Sequence, residues 1–434
     1  MALWLRLLVA LEASFADASP TRLLFGSCND ARMAQPLWPH VLSRRPDVWI
    51  WGGDNIYADR LEPWRVLGGR QPFRPADEAY LRSTYERQLA EPGYAQLVNS
   101  SVPIVGTWDD HDYGVNDGDK SFDGKRWSQA AFLDFLQEPS HSSRRSQEGV
   151  YTSQRFDYDG GSVLIVLLDL RYHRDSYGTP DGDFLGEAQW KWLEQLLATS
   201  TARVHIFVSS LPVLPVVVAL GGENWRRFPH ARDRLLRLIT QTNISAPVVL
   251  TGDVHFAQLS QAKCTGGTVL EVQSSGMTHS WGTGPPNVDN IFAAQAMHMF
   301  MRLLQALFPY RYQLRDPATG KGLSYLGLNF GELEVDWQAG TLAVKIFDAE
   351  PEPKLHRIFK LSEIDNRLFD RQGSTTTMPS GCSPVDSDDA SLQMEIIATV
   401  VSILVVLSVV VVPVYGASKI LASLMCHRRK AKLS

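Results

Sequence analysis

Several apolar runs of the sequence each end in a side chain that can bind a metal ion or transfer a proton. These terminal residues are Cys28, Asp54, Asp109 and Asp110, Asp169, Ser209 and Ser210, and Asp253 with His255. If the runs are neighbouring strands, their ends meet at one edge, where α/β proteins bind ligands. Carboxylates gathered there repel one another unless a divalent or trivalent metal neutralises them. A single aspartate after a strand is more commonly a turn former or a helix cap, so only the repetition favours a metal site.

Two short segments carry most of this ligand chemistry. In "GTWDDHDYG", three carboxylates surround His111, and in "LTGDVHF", Asp253 and His255 are separated by one residue. An extended backbone would direct the side chains of Asp253 and His255 to the same face. The segment "WIWGGDNIYADR" adds a carboxylate, Asp54, and a phenol, Tyr57. Together these segments predict a metal site at the strand ends.

The elements that must position these residues alternate between strands and helices. Apolar runs such as "DVWIWGGD" and "SVLIVLLDL" are separated by segments with helical spacing, such as "EAQWKWLEQLLAT" and "ARDRLLRLITQT". Two later alternating runs, "LNFGELEVDW" and "TLAVKIFDAE", predict a hairpin. This order favours an α/β architecture with strands buried on both faces. The formal net charge of -5 gives no sign of a nucleic-acid partner.

Five segments, in order, resemble the successive motifs of the alkaline phosphatase D, or PhoD-like, metallophosphoesterases. They are "FGSC", "GGDNIYAD", "GTWDDHDYGVNDGD", "LLDLRYHRD" and "LTGDVHF". The resemblance implies a four-layered α/β/β/α sandwich around a metal centre. It also implies hydrolysis of a phosphomonoester or phosphodiester by metal-activated water, without a covalent phosphoenzyme.

The resemblance assigns metal-ligand roles to six residues. They are Cys28, Asp54, Tyr57, Asp109, Asp110 and Asp253. Asp54 would bridge two metal ions, and Tyr57 would supply a phenolate to a ferric ion that Cys28 and Asp253 also hold. One aspartate of the "DD" pair would hold the second metal, most naturally calcium, which prefers oxygen ligands. Zinc or manganese is the alternative to iron and calcium.

Three further residues take catalytic roles under the same resemblance, namely His111, His255 and Arg171. The two histidines correspond to a substrate-orienting or acid histidine and a metal-site histidine. The guanidinium of Arg171 matches the geometry of phosphate. An ordinary salt bridge to Asp169 or Asp175 is the alternative for this arginine. Asn116 and His173 are weaker candidates of the same kind.

The leading hypothesis is therefore a metal-dependent phosphoester hydrolase. The alternative is a catalytically silent metal-binding ectodomain that acts as a membrane scaffold or receptor. A relative of an enzyme that has lost its activity should also have lost some of its acidic metal ligands. This sequence keeps all the acidic residues of the motifs quoted above. The enzyme is thus the stronger prediction. A phosphoester substrate is the expected partner, and protein partners are left open.

The two ends of the sequence predict a single-span membrane protein. The predicted parts are a signal peptide (1–18), a PhoD-like domain (19–365), a flexible stalk (366–395), a transmembrane helix (396–418) and a cytoplasmic tail (419–434). The predicted span carries no charged residue, and the basic segment "CHRRKAK" follows it. This type I orientation places the body in the lumen of the secretory pathway or outside the cell. Two N-x-S sequons, at Asn99 and Asn243, fit that placement.

Three of the four cysteines precede the predicted span, so one of them lacks a partner within the monomer. Cys28 ends a strand beside the predicted site, whereas Cys264 and Cys382 fall in a loop and in the stalk. We therefore expect Cys28 to be unpaired and metal-bound. A disulfide between Cys264 and Cys382 is compatible with this assignment. The alternative for Cys28 is a small buried residue without a ligand role.

Overall fold

The computed structural model describes residues 20–62, 65, 72–214, 222–283, 312–368 and 382–386. The predicted signal peptide, transmembrane helix and cytoplasmic tail, and most of the predicted stalk, lie outside these ranges. No helix within the described ranges is long and apolar enough to cross a membrane. Every predicted site residue lies inside them.

The described chain contains short strands and helices in alternation. The strands are β1 (Thr21–Gly26), β2 (Val48–Gly52), β3 (Arg60–Leu61), β4 (Phe73–Arg74), β5 (Ile104–Thr107), β6 (Thr152–Tyr158), β7 (Gly161–Leu167), β8 (Val204–Val208), β9 (Pro247–Thr251), β10 (Ala257–Cys264), β11 (Gly267–Ser274), β12 (Ser324–Tyr325), β13 (Phe330–Asp336), β14 (Thr341–Phe347), β15 (Leu355–Lys360) and β16 (Cys382–Pro384). The α-helices are α1 (Trp38–Ser43), α2 (Glu78–Leu89), α3 (Pro92–Val98), α4 (Asp110–Tyr113), α5 (Lys125–Phe135), α6 (Gly186–Thr199) and α7 (Pro229–Gln241). Short 3-10 turns occur at Ser143–Arg145, Trp225–Arg227, Leu361–Glu363 and Asn366–Leu368.

The first large sheet has six strands in the order β15–β14–β13–β1–β2–β5. β1, β2 and β5 are parallel to one another, and β13 pairs antiparallel with β1. The predicted hairpin is confirmed as β13–β14. Because β1, β2 and β5 are parallel, the residues that follow them meet at one edge of the sheet.

The second large sheet has eight strands. Along its main path the order is β12–β10–β11–β9–β8–β7–β6, and β16 pairs with β10 beside this path. β7, β8, β9 and β11 are parallel neighbours. Their carboxyl ends therefore also share one edge. β3 and β4 form a separate two-stranded sheet.

Three apolar clusters hold these elements together. One contains residues from both large sheets, including Leu23 and Ile50 from the first and Ile206 and Val248 from the second. A second cluster contains alternate residues of the second sheet, such as Val166, together with residues of α6 and α7. The third contains alternate residues of β1 and β2 together with residues of α1, α2, α3 and α5. Strand alternation thus places one set of side chains in the shared cluster and the other set against helices.

These observations confirm the predicted α/β fold class. The hairpin β10–β11, however, was not predicted from the sequence. Its first strand carries buried polar side chains that obscure the apolar pattern. Gln258 and Ser260 are each 2% exposed, and Gln258 Nε2 donates a hydrogen bond to Ser260 Oγ at 2.9 Å.

The cysteines pair as the sequence allowed. Cys264 and Cys382 form a disulfide, and Cys28 is a free, buried cysteine. The expectation that Cys264 lies in a loop is wrong, because this residue ends β10 and faces Cys382 in the β10–β16 pair. The bond therefore fastens β16 to the second sheet.

Candidate metal centre

The predicted ligands follow the carboxyl ends of four strands. Cys28 follows β1, Asp54 follows β2, Asp109 and Asp110 follow β5, and Asp253 follows β9. The backbone turns sharply at three of these points, with φ of 59° at Cys28, 50° at Asp54 and 69° at Asp253. Residues other than glycine rarely adopt this left-handed conformation, so backbone strain is concentrated here. The structure brings these side chains, from four separate strands, to one place.

Gly53 allows β2 to end close to the ends of β5 and β8. Its φ is 101°, and a Cβ atom at this position would lie 2.9 Å from the Cβ atoms of both Asp109 and Ser210. Only glycine fits both this backbone conformation and the space. The second glycine of "GGD" therefore lets Asp54 lie beside Asp109.

The expectation that an extended backbone aligns Asp253 with His255 is wrong. β9 ends at Thr251, and φ is positive at both residues, 69° at Asp253 and 57° at His255. Left-handed turns, rather than strand alternation, set the directions of these side chains. The His255 backbone N–H donates to Ser275 Oγ at 2.8 Å and holds the turn.

Cys28, Asp54 and Tyr57 are in mutual contact. The Cys28 Sγ lies 3.6 Å from Asp54 Oδ2, and the Tyr57 hydroxyl donates to the same oxygen at 3.3 Å. Ser275 Oγ lies 2.9 Å from the Cys28 Sγ. The other oxygen of Asp54, Oδ1, is buried and has no hydrogen-bond partner among the residues that the structure describes. A thiol, a phenol and a spare carboxylate oxygen are thus gathered at one point.

Asp109, Asp110 and Asp253 form the second part of the cluster. One ligand atom from each lies within 4.8 Å of the other two. Asp110 accepts the backbone N–H groups of His111 at 3.0 Å and Asp117 at 2.8 Å, one on each oxygen. Asp109 Oδ2, in contrast, accepts no hydrogen bond within the described part of the chain. Both aspartates of the "DD" pair therefore reach the cluster, and Asp109 offers the uncommitted oxygen.

Burial dominates the electrostatics of the carboxylates. It raises the pKa of Asp54 and of Asp253 well above the usual range, and neighbouring carboxylates add to the effect. Burial also raises the pKa of Asp109 to about 6, although Arg171 opposes this shift. Asp110 differs, because nearby cationic side chains overcome the effect of burial and lower its pKa to about 2. The cluster as a whole resists carrying several negative charges.

The sulfur and oxygen atoms of the cluster are suitable ligands for a metal cation. Burial raises the pKa of the Cys28 thiol to about 12 and the pKa of Tyr57 well above its usual range. A cation among these groups would offset burial and repulsion and favour their charged forms. Two buried oxygens, Asp54 Oδ1 and Asp109 Oδ2, lack partners in the described ranges and are free to bind it. Thiolate and phenolate suit a transition metal, and carboxylates suit a hard cation.

His111 is both hydrogen-bonded and stacked. Its Nδ1 lies 2.6 Å from Asp59 Oδ1, and its ring stacks on Tyr57 with a centroid distance of 4.0 Å. Burial opposes protonation of His111, but Asp110 and Asp59 together raise its pKa to about 10. One ligand-capable atom each of Asp54, Asp110 and His111 also lie within 4.8 Å of one another. In the metal-free protein, His111 is therefore a cation at neutral pH.

His255 has the opposite character. Burial, with repulsion from His111, lowers its pKa to about 4. Its Nδ1 has no hydrogen-bond partner among the described residues, and its ring centroid lies 4.5 Å from that of His279. His255 is therefore neutral at pH 7, which is the form of histidine that binds metals.

Arg171 is fully buried, and carboxylates engage its guanidinium. Its Nε donates to Asp109 Oδ1, while Nη1 and Nη2 donate to the two oxygens of Glu223 at 3.0 and 2.6 Å. The partners suggested by the sequence have other roles. Asp169 accepts the backbone N–H of Arg171 at 2.8 Å, and Asp175 pairs with a lysine. The salt bridge of Arg171 thus joins Asp109 and Glu223.

The two weaker candidates lie on less buried parts of the chain. His173 has a side chain that is 27% exposed, and its Nε2 lies 3.9 Å from Glu148. Asn116 is half-buried in the loop between α4 and α5. Neither position gains support from its surroundings.

Four residues that contact the cluster were not predicted, namely Asp59, Glu223, Ser275 and His279. Asp59 lies inside the "GGDNIYAD" motif, so a signal for it was present in the sequence. Ser275 and His279 follow β11, a strand that the apolar pattern did not reveal. Glu223 lies in a loop, and nothing in its local sequence indicates that it reaches Arg171.

The sequence and the fold both resemble those of known proteins. A model of the family described as "PhoD-like phosphatase" matches residues 23–301. Alkaline phosphatase D of Bacillus subtilis (strain 168) is 23% identical over 280 residues, which cover 56% of this chain and 47% of that protein. The chain thus spans about half the length of this relative. A solved structure described as "Structure of PhoD" superposes with a TM-score of 0.56 at 18% identity, covering 90% of this chain and 79% of the other, and so indicates a shared fold. Because the family match extends over more than half of the sequence, the chain belongs to the PhoD-like phosphatase family.

Proposed function

We propose that the chain is a metal-dependent phosphoester hydrolase whose active centre is the cluster at the strand ends. The observation that carries this proposal is the pair of buried carboxylate oxygens, Asp54 Oδ1 and Asp109 Oδ2, that have no partner in the described ranges. Buried polar atoms without partners are costly, and both of these belong to residues of the carboxylate cluster, so they favour cation binding there. Membership of a phosphatase family supports phosphoester hydrolysis as the reaction.

The ligand set divides into two groups. Cys28, Tyr57 and Asp253 would hold one ion, the two aspartates after β5 would hold a second, and Asp54 would contribute to both. Asp253 also lies within 4.8 Å of Asp109 and Asp110, so the two sites would adjoin one another. When bound, such ions neutralise charge on the phosphoryl oxygens and supply an acidified water as nucleophile. The softer donors favour iron at the first position, and the carboxylates favour calcium at the second. Zinc and manganese are the alternatives.

His111 is proposed as the general acid. Its Nδ1 is bonded to Asp59, which fixes the ring and leaves Nε2 as the nitrogen able to donate a proton. In the metal-free protein, Asp110 and Asp59 raise the pKa of His111 to about 10 and favour the imidazolium, and the hydrogen bond to Asp59 favours this form independently of Asp110. It is therefore able to protonate a departing alkoxide.

His255 and Arg171 retain the roles proposed from the family. His255 is either a ligand or an acid, and His255→Ala separates the two, because loss of a ligand lowers metal content as well as turnover. Arg171 already donates to Asp109 and Glu223, so contact with a phosphate would need its remaining N–H groups. Arg171→Ala should therefore lower both metal content and turnover.

Elemental analysis of the purified protein, paired with hydrolysis of p-nitrophenyl phosphate and bis(p-nitrophenyl) phosphate, tests the function. We expect bound metal and turnover of at least one ester, and the ratio of the two rates gives the monoester or diester preference. Metal without turnover of either ester would support the alternative, a silent ectodomain that acts as a membrane scaffold or receptor. Absence of both would contradict the metal centre itself.

The proposed iron has a spectroscopic test. A ferric ion bound by the Cys28 thiolate and the Tyr57 phenolate would absorb visible light. Cys28→Ser and Tyr57→Phe should each shift or remove a band, while Cys264→Ser should leave the spectrum unchanged. A colourless, fully metallated and active protein would exclude iron and favour zinc, manganese or calcium.

We also propose the four-layered α/β/β/α arrangement and the type I topology implied by the sequence. The three apolar clusters support the layer order. The disulfide between Cys264 and Cys382 supports an oxidising compartment, the lumen or the exterior. Protease added to sealed microsomes should then remove only the predicted tail, residues 419–434. Digestion of the body in sealed vesicles would overturn this placement.

A further inference from the structure

A buried chain of charged groups runs from Glu223 through Arg171 to Asp109. The Arg171 side chain is 0% exposed, and those of Asp109 and Glu223 are 1% and 4% exposed. Both terminal nitrogens of the guanidinium donate to Glu223, one to each oxygen, while Nε donates to Asp109. The pair with Glu223 is the two-pronged geometry that fixes a guanidinium most firmly.

The hydrogen bond from Arg171 determines which oxygen of Asp109 has no partner among the described residues. Asp109 Oδ1 accepts both Arg171 Nε and Ser210 Oγ, the latter at 2.9 Å. Asp109 Oδ2 is left without a partner in the part of the chain that the structure describes. It belongs to the same group of ligand atoms as Asp110 and Asp253. Two donors on one oxygen therefore fix the carboxylate and leave the other oxygen uncommitted.

Glu223 also balances the charge of Arg171. The guanidinium lies 3.8 Å from Asp110 as well as in contact with Asp109, so alone it would neutralise part of the carboxylate cluster. A cation would then be attracted less strongly to the same carboxylates. Pairing with Glu223 balances the charge of Arg171, while the hydrogen bond from Nε to Asp109 Oδ1 is kept.

Glu223 is itself held in place by its neighbours. The Tyr177 hydroxyl donates to Glu223 Oε1. Trp225 lies two residues after Glu223. Its indole N–H donates to Ser209 Oγ at 2.9 Å, and its backbone N–H donates to Pro212 O at 3.0 Å. These bonds fasten the loop that carries Glu223 to the segment after β8. The position of the carboxylate is therefore fixed relative to the strand ends.

We propose that Glu223 is a positioning residue of the metal centre, which orients Asp109 for cation binding through Arg171. This inference rests on the proposed metal-dependent function and adds a residue that no sequence pattern indicated. One ligand atom of Glu223 lies within 4.8 Å of those of Asp110 and Asp117. Because both oxygens of Glu223 accept hydrogen bonds from Arg171, we assign it a positioning role and not that of a ligand. Its effect is on metal affinity first and on turnover as a consequence.

The test compares Glu223→Gln with the wild type in the full chain after removal of metal by a chelator. Each protein is titrated with Ca²⁺ alone and with Mn²⁺ alone, and bound metal is measured by calorimetry and elemental analysis. The glutamine keeps the shape of the side chain but removes the charge. We expect an affinity about 10–100-fold weaker for at least one ion, the usual effect of losing an outer partner of a metal ligand. Glu223→Asp, which keeps the charge, should lose less.

Glu332→Gln is the matched control. Glu332, on β13 of the first sheet, is also a buried glutamate, 0% exposed, and it accepts hydrogen bonds from Nε and Nη2 of Arg44, which follows α1. This variant should lower the stability of the protein and leave metal affinity unchanged. Equal loss of metal affinity in Glu223→Gln and Glu332→Gln would overturn the inference, because the effect would then be one of general stability. Wild-type affinity in Glu223→Gln would overturn it directly.

Tyr177→Phe covers the case in which Glu223→Gln does not fold. It removes one donor to Glu223 from a half-buried position, so a smaller loss of metal affinity, severalfold, is expected. Unchanged affinity in Tyr177→Phe, with Glu223→Gln unfolded, would also count against the inference. Metal binding by the wild type without ester hydrolysis would refute the proposed function and leave this inference standing. Absence of metal binding by the wild type would refute both.

Discussion

Two kinds of buried aspartate occur side by side in this protein. Asp112 has both oxygens occupied, because it accepts the backbone N–H groups of Asn55 and Asp109 and the hydroxyl of Tyr85. Asp169 likewise accepts three backbone N–H groups over its two oxygens. Both side chains are therefore held by hydrogen bonds from other groups of the protein.

Asp54 and Asp109 are as deeply buried but keep one oxygen each without a partner in the described ranges. All four aspartates lie just after strands or at the start of α4, so sequence position does not separate them. The supply of hydrogen-bond donors separates them, because the turns around Asp112 and Asp169 direct backbone N–H groups at both carboxylate oxygens. Asp112 and Asp169 therefore stabilise the fold, whereas Asp54 and Asp109 each keep an oxygen that is available to a cation.

The largest effect is expected from Asp54→Asn. A neutral amide cannot bridge two cations as a carboxylate does, so ester hydrolysis should fall below detection, a loss of several kcal/mol in transition-state stabilisation. The metal-free variant should be at least as stable as the wild type, because burial and neighbouring carboxylates already oppose the charge of Asp54. Turnover, metal content and urea unfolding check these points. Near-normal turnover would remove Asp54 from the centre.

His111→Ala should lower turnover by about 10²–10⁴-fold, the usual contribution of a general acid. Asp59→Asn should reproduce part of this loss, because it removes the group that orients the imidazole. Both variants need kcat and metal content measured on the same preparation. A loss of metal equal to the loss of rate would make His111 a ligand instead of an acid.

The two site histidines should also make the stability of the metal-free protein depend on pH in opposite directions. The pKa of His111 is raised to about 10 in the folded protein, against about 6.5 when unfolded. Its contribution is complete below about pH 6.5 and is lost as pH rises through about 10. His255 has a folded pKa of about 4, so its contribution is present above about pH 6.5 and is lost as pH falls through about 4. Urea unfolding across this range, with His111→Gln and His255→Gln, should flatten the alkaline and acid limbs respectively.

Asp112→Ala should act on stability more than on chemistry. It leaves two buried backbone N–H groups and the Tyr85 hydroxyl without their acceptor, at about 1–3 kcal/mol for each buried group. We expect the free energy of unfolding to fall by about 4 kcal/mol in the metal-free protein. Urea unfolding measures this loss, and the contrast with Asp54→Asn is the direct test of the two classes of aspartate. Equal stability of the two variants would contradict the distinction.

Cys382→Ser should have the smallest effect on the metal centre. Loss of the disulfide should lower the free energy of unfolding by about 3 kcal/mol, because the unfolded chain is no longer closed into a loop. Bound metal per chain should stay at the wild-type value. A drop in metal content would mean that the attachment of β16 affects the strand ends, whereas in the described part of the chain β16 pairs with β10.

The sequence predicted the candidate ligands that directly follow strands. Apolar runs with acidic ends are visible without any tertiary information, and Cys28, Asp54, Asp109 and Asp253 were found in this way. Asp59 and Glu223, which hold His111 and Arg171 in place, were not found, because their contacts are made across long separations. Arg171 and Glu223 are 52 residues apart, and so are Asp59 and His111.

The backbone conformation after the strands was also not predicted from the sequence. Alternation predicts side-chain direction only while the strand continues, and β9 stops before Asp253. The positive φ values at Asp253 and His255 arise from packing at the strand ends, where the chain has to turn within a few residues. Local pattern therefore located these residues but gave the wrong reason for their proximity.

The bond between Cys264 and Cys382 also has a consequence for proteolysis. The two cysteines are 118 residues apart, and the stretch between them includes residues 369–381, which precede β16. A backbone cut anywhere in that stretch leaves both fragments covalently joined. Shedding of the folded body from whatever follows β16 would then require either a cut after Cys382 or a reductant together with a protease. An SDS gel run without reductant would show such a nicked protein as one band and hide the cleavage.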